Sequence, residues 1–184
     1  MPPRKRWKSP FSGSKNHVSE AGIDATPSAQ DLYARAVKIL SQRSLSSAEL
    51  RKKLLQFTSQ ESLVCSVLEQ LTSRGYLDDR RFIEGFIHSG HESKHYGRHR
   101  IELELRLKGL DPLLVAEMLD HLYPPDLDQL ELQKTLEKKL LNLRLPMDAK
   151  KIAKLYNYLL RRGFAREAAS REIRRRFKDV DMNE

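Results

Sequence analysis

Three tripeptides punctuate this chain in the same way. Arg74-Gly75-Tyr76, Lys108-Gly109-Leu110 and Arg162-Gly163-Phe164 each set a cation on the last turn of a helix, a glycine where a left-handed C′ residue is wanted, and an apolar residue that folds back. The second and third match further, because Ile101, Leu105 and Gly109 superpose on Leu155, Leu159 and Gly163 at a constant offset of 54 residues. Leu50 and Leu54 align with Ile101 and Leu105 at an offset of 51, without the glycine at that helix end. A period near 50 residues with three helices in each predicts a short helical array, since one such unit alone cannot bury its apolar faces.

The apolar pattern agrees. From Asp31 onward the hydrophobic residues recur at helical spacing and nothing alternates as a strand. Ser46 with Glu49 forms a capping box, flanked by a Leu45–Leu50 staple. Asp111 caps a helix that starts on Pro112, and Leu110 with Val115 repeats the staple. Asp148 and Asp78 serve as further caps. Helices are expected near residues 31–43, 47–56, 60–74, 79–89, 98–108, 112–122, 126–142, 149–162 and 165–178. They group as a disordered basic leader over 1–28, then three-helix repeats over 29–78, 79–123 and 124–184. Trp7 in the leader could stack on a base, although a solvated tail is the simpler reading.

Composition narrows the function classes. Hydrophobic residues make up 39% and charged residues 32%, the balance of a folded, heavily solvated chain. No apolar run approaches the roughly 20 residues that a membrane span needs, and the basic start has no apolar segment behind it to make a signal peptide. Cys65 stands alone, which rules out an intrachain disulfide or a CxxC site and makes a reducing, cytoplasmic setting the expectation; it falls in an apolar helix and reads as core. The net charge of +9 divides as +3 over residues 1–28, zero over 29–143 and +6 over 144–184. Such localised excess favours nucleic acid or an acidic protein face as partner.

The motifs resemble those of the RecX family of recombinase regulators. Gly97-x-x-Arg100-Ile101-x-x-Glu104-Leu105-x-x-Lys108-Gly109-Leu110 is similar to that family's central-repeat signature. Gly75-Tyr76-Leu77-Asp78-Asp79-x-x-Phe82 resembles the junction of its first two repeats, and Leu159-Leu160-Arg161-Arg162-Gly163-Phe164 the helix end in its third. The resemblance implies an all-α protein in which three three-helix repeats form an elongated, curved body. It also implies a partner: a RecA–DNA filament, in whose groove the protein lies, limiting filament growth and damping recombinase and coprotease activities. Catalysis and cofactors are not expected, and an array without coiled-coil heptads suits a monomer.

The candidate binding residues come from two sources. On the last helix Ala169, Ile173 and Phe177 share one side, while Arg171, Arg174, Arg175 and Lys178 fall on nearly the opposite side. That cationic stripe suits phosphates, whose contacts are independent of sequence, and equally suits an acidic protein groove. Arg98, Arg100 and Lys108, with Arg161 and Arg162, enter through the family match, because Glu102 and Glu104 can neutralise the first group through neighbouring-turn pairing. Tyr156 and Tyr158 could stack on bases, Tyr156 being better placed to pack.

Other motifs point away from enzymology. His91-Glu92-Ser93-Lys94-His95 fits the HExxH pattern of zinc peptidases, yet that chemistry needs both imidazoles on one face of a continuous helix. Gly90 and Gly97 bracket the stretch, so a surface connection with several histidines, His88 and His99 among them, is the reading, and no metal site is assigned. Asp78 and Asp79 could be paired catalytic carboxylates; helix capping explains them more simply. No nucleophile stands in a recognisable setting, and no phosphate-binding glycine loop is present.

Overall fold

The computed structural model describes residues 27–142 and 147–177. Among them are nine α-helices and no strand: α1 (Ala29–Gln42), α2 (Ser47–Leu54), α3 (Glu61–Ser73), α4 (Asp79–Glu92), α5 (Arg98–Leu107), α6 (Pro112–Leu122), α7 (Pro125–Leu140), α8 (Ala149–Arg162) and α9 (Arg166–Arg176). Lys178, Trp7 and all but the last two positions of the expected leader lie outside the described residues. No described helix is long and apolar enough to cross a membrane.

Local chemistry sets the helix starts. Ser46 and Glu49 close the capping box that begins α2, and Ser28 with Asp31 makes a second at α1. Asp111 accepts from the Leu113 amide with Pro112 in the first turn, and Asp148 accepts from that of Lys151. The largest departure from the expected bounds is α4, which continues through Gly90 to Glu92. Gly90 does not end the helix because it is a packing position: a Cβ there would approach the Ile101 side chain at 3.1 Å. Cys65 is a second departure. It lies on α3, but the helix buries Val64, Val67 and Leu71, and one residue past Val64 is a third of a turn round, so the thiol is exposed.

Packing groups the helices in threes. Leu32, Leu50, Leu54, Val64, Val67 and Leu71 centre one hydrophobic cluster from α1–α3; Ile83, Ile87, Ile101, Leu105, Val115 and Leu119 centre a second from α4–α6; Leu132, Leu136, Ile152, Leu155, Leu159 and Ile173 centre a third from α7–α9. The leucine pairs that define the repeat, Leu50/Leu54, Ile101/Leu105 and Leu155/Leu159, are the buried stripes of α2, α5 and α8. Each such side chain contributes about 1.5–3 kcal/mol by leaving water.

Polar joints connect the triplets, and they recur. The helix-capping residues Ser46, Gly97 and Asp148 stand 51 residues apart at the starts of α2, α5 and α8. The end of α8 docks on the start of α5: the Gly97 amide donates to the Arg162 carbonyl at 2.8 Å and the His99 amide to that of Gly163 at 3.1 Å. The end of α5 docks likewise on the start of α2, where the buried Ser46 hydroxyl donates to the Lys108 carbonyl at 2.7 Å. Carbonyls left unpaired at one helix end thus meet unpaired amides of a helix start at the first joint and the capping hydroxyl at the second, and the helix dipoles follow head to tail. Contact at the first joint is close enough to exclude side chains, since a Cβ on Gly97 would fall 2.6 Å from the Gly163 carbonyl and one on Gly163 2.3 Å from the Arg100 backbone nitrogen. The end of α2 lacks such a glycine, and among the described residues no three-helix unit stands before α1 whose middle helix it could dock on. Gly75 differs. It shares the positive φ, +72°, but ends α3 with open space around it, so it caps and does not join.

Candidate partner and nucleic-acid interface

Several residues expected to bind a partner turn out to build the joints. Arg98 is mostly shielded: its amide donates to Asp128 at 2.9 Å, and its guanidinium reaches the Tyr123 carbonyl at 3.0 Å and Asp120 at 2.5 Å. It locks the start of α5 to the end of α6 and the start of α7. Burial there raises the pKa of the Asp128 carboxyl, although the Arg98 amide acts in the opposite direction. Lys108 supplies the carbonyl for Ser46, and its ammonium pairs with Glu49 at 3.0 Å. Arg162 gives its carbonyl to Gly97 and its guanidinium to the Lys94 carbonyl. Arg100 pairs with Glu104 one turn on, at 2.7 Å, as the spacing suggested.

The two carboxylates once eligible as a catalytic pair are also accounted for. Asp78 caps α4 by accepting the Arg81 amide at 3.0 Å. Asp79 instead accepts from both the amide and hydroxyl of Ser47, tying α4 to the start of α2.

These joint residues frame a surface that sequence reading had not assembled. The Lys108 ammonium stands 5.6 Å and 5.7 Å from the ring centres of Phe82 and Phe86, and that of Lys94 stands 5.3 Å from Phe86 and 5.6 Å from Tyr96. Arg100 and Arg162 flank Tyr96 at 5.5 Å and 5.8 Å, Arg162 also meets Tyr158 at 5.2 Å, and Lys139 meets Tyr158 at 5.1 Å. All lie within cation–π range. Cations and rings therefore alternate in an unbroken strip that crosses from the second triplet to the third. At its centre Tyr96, Arg100, Tyr158, Arg161 and Arg162 line a groove of about 320 Å³. Arg161 is exposed there and makes no ion pair among the described residues. Planar rings between cations suit a strand of unstacked bases with its phosphates, and they suit an acidic protein segment almost as well.

The α9 stripe is thinner than expected. Arg175 hydrogen-bonds Glu172 through two nitrogens, at 3.2 Å and 2.5 Å, and that hydrogen bond raises the guanidinium pKa. Glu172, itself buried, was legible as a partner three residues earlier. Arg171 and Arg174 remain exposed cations, and Arg176, which the helical spacing had not selected, joins them. Tyr156 and Tyr158 both pack against the third cluster, and Tyr158 also lines the groove.

The histidine stretch is only half a connection. His91 and Glu92 belong to the last turn of α4, and His95 follows it with a left-handed backbone, φ 52°. Its ring turns toward α7, with Nδ1 3.7 Å from Glu131 and Nε2 3.0 Å from the Lys138 ammonium. The two imidazoles of the HExxH pattern therefore share no helix face.

Residues 78–119 match the family model described as RecX, second three-helix domain. The chain is 35% identical over 159 residues to the regulatory protein RecX of Serratia proteamaculans, covering 74% of this chain and 92% of that one. It is 36% identical over 130 residues to the RecX of Pelodictyon phaeoclathratiforme, covering 70% and 78%. The crystal structure of RecX from Lactobacillus salivarius superposes with a TM-score of 0.70 at 20% identity, over 83% of this chain and 97% of that one, which shows the shared fold.

Proposed function

Because the chain belongs to the RecX family of regulatory proteins, we propose that it binds a RecA–DNA filament in the cytoplasm and limits filament growth, damping the recombinase and coprotease activities without a reaction of its own. The observation that carries this is the extent of the relationship, which takes in nearly the whole of the Serratia relative. Three modules, over 29–78, 79–123 and 124–184, would each engage the polymer, so that a monomer gains hold from several modest contacts. The cation–aromatic strip and the exposed arginines of α9 supply faces for DNA or for acidic rims of the filament.

RecA-driven ATP hydrolysis on single-stranded DNA tests the proposal. The rate falls as the protein is added; an unchanged rate at saturation overturns it. The strip also favours a second reading, a general nucleic-acid-binding helical module. That reading requires DNA affinity with a steep salt slope and no dependence on RecA. Co-sedimentation with RecA filaments, with and without DNA, separates the two.

A further inference from the structure

The last turn of α4 carries a group that neither the helical array nor the filament reading uses. His88, His91 and Glu92 offer ligand atoms that all lie within 4.8 Å of one another. Their spacing, i, i+3 and i+4, sets them on one helix face. We propose that these three side chains form a site for a divalent metal ion of the zinc, cobalt or nickel class.

Four observations bear on it. The donors are two imidazoles and a carboxylate, a set that borderline metals take and that calcium or magnesium, which bind oxygen, do not. Closing the gap is a matter of rotamers: ligand atoms about 2.0–2.2 Å from a tetrahedral ion sit a little over 3 Å apart, and His88 Nε2 is already 2.9 Å from Glu92 Oε2. The position is electrostatically apt, because the free carbonyls at a helix C-terminus favour a cation. Finally, His88 and His91 border a cleft of about 770 Å³ between α4 and the end of α1, which leaves coordination positions open to water. His91 is held in place with its ring 5.4 Å from that of Tyr123 and 5.7 Å from that of His88.

Nearby charges work in both directions. Glu131 favours a cation beside His91 and Lys134 opposes it, and these two pair with each other at 2.8 Å. The site therefore depends on its three ligands more than on a surrounding field. It is also distinct from the peptidase pattern in the same stretch, since Glu92 serves as a ligand instead of a base and His95 faces α7. Binding is proposed here, and no hydrolysis.

Titration of the untagged full chain with Zn²⁺ by calorimetry, and with Co²⁺ by visible absorption, tests the site. The expected result is one ion per chain, with affinity lowered at least tenfold by His88→Ala and by His91→Ala. His95→Ala and the combined His17→Ala, His99→Ala and His121→Ala variant keep wild-type affinity. His88 is exposed, so its alanine variant retains the fold if His91→Ala does not, and far-ultraviolet circular dichroism monitors both. Absence of stoichiometric binding overturns the proposal, as does loss of binding in His95→Ala or wild-type affinity in a folded His88→Ala.

Discussion

Replacing Gly163 by alanine tests the joint between α8 and α5, on which the continuity of the array rests. The backbone at Gly163 has φ +88°, a left-handed conformation that costs an L-residue roughly 1–2 kcal/mol. The added methyl would also lie 2.3 Å from the Arg100 nitrogen and Cβ, so α5 and α8 must separate. Separation breaks the hydrogen bonds from Gly97 and His99 to the end of α8, each worth about 1 kcal/mol. The sum is about 3–4 kcal/mol of lost stability. Gly75→Ala is the control, because the same kind of backbone stands there in open space and only the roughly 1–2 kcal/mol of strain applies. Gly85→Ala is a second control: it lies inside α4 with nothing near and gains about 0.8–1.0 kcal/mol of helix propensity. Urea unfolding followed by far-ultraviolet circular dichroism ranks the three variants. If Gly163→Ala costs no more than Gly75→Ala, the docking of α8 on α5 does not hold the triplets together.

Two further outcomes follow from the surface chemistry. Tyr96→Ala and Tyr158→Ala each weaken binding of a fluorescent oligothymidylate by about 1–3 kcal/mol per lost stack, whereas Arg171→Gln and Arg174→Gln lower the salt slope by about one each; unchanged affinity in both tyrosine variants would remove the strip as a nucleic-acid track. Burial holds the His91 pKa below its ordinary value of 6.5, so the unfolded chain takes up that proton first on acidification. The stability linked to neutral His91 is complete above the ordinary value and is lost as pH falls through the lower folded one, so the urea midpoint drops further between about pH 7.5 and 5.5 in the wild type than in His91→Gln. Equal drops would show that His91 is not desolvated in the folded chain.

Much of the fold was legible because its signals are local. A cap and the amide it satisfies are two or three residues apart, as at Ser46, Asp111 and Asp148, and a buried stripe repeats every turn, so helix starts and the Leu50, Ile101 and Leu155 register could be read directly. The binding surface was less legible. Arg98, Lys108 and Arg162 look alike in sequence to solvent-facing cations, and only packing brings them to partners 22, 59 and 68 residues away. The Arg175–Glu172 pair is the exception, being visible in the spacing.

The sequence by itself determined the nine helices of the described residues, the caps at Ser46, Asp78, Asp111 and Asp148 and the repeated apolar stripe, since helix formation is decided by neighbours within a turn or so. Tertiary structure alone decided which glycines are joints and which merely end helices, which arginines are consumed in holding triplets together, and that rings from α4 and α8 interleave with cations from α5 and α7. Those outcomes depend on how whole helices meet end to end and side by side, and residues far apart in the chain carry no local mark of the neighbour they will find.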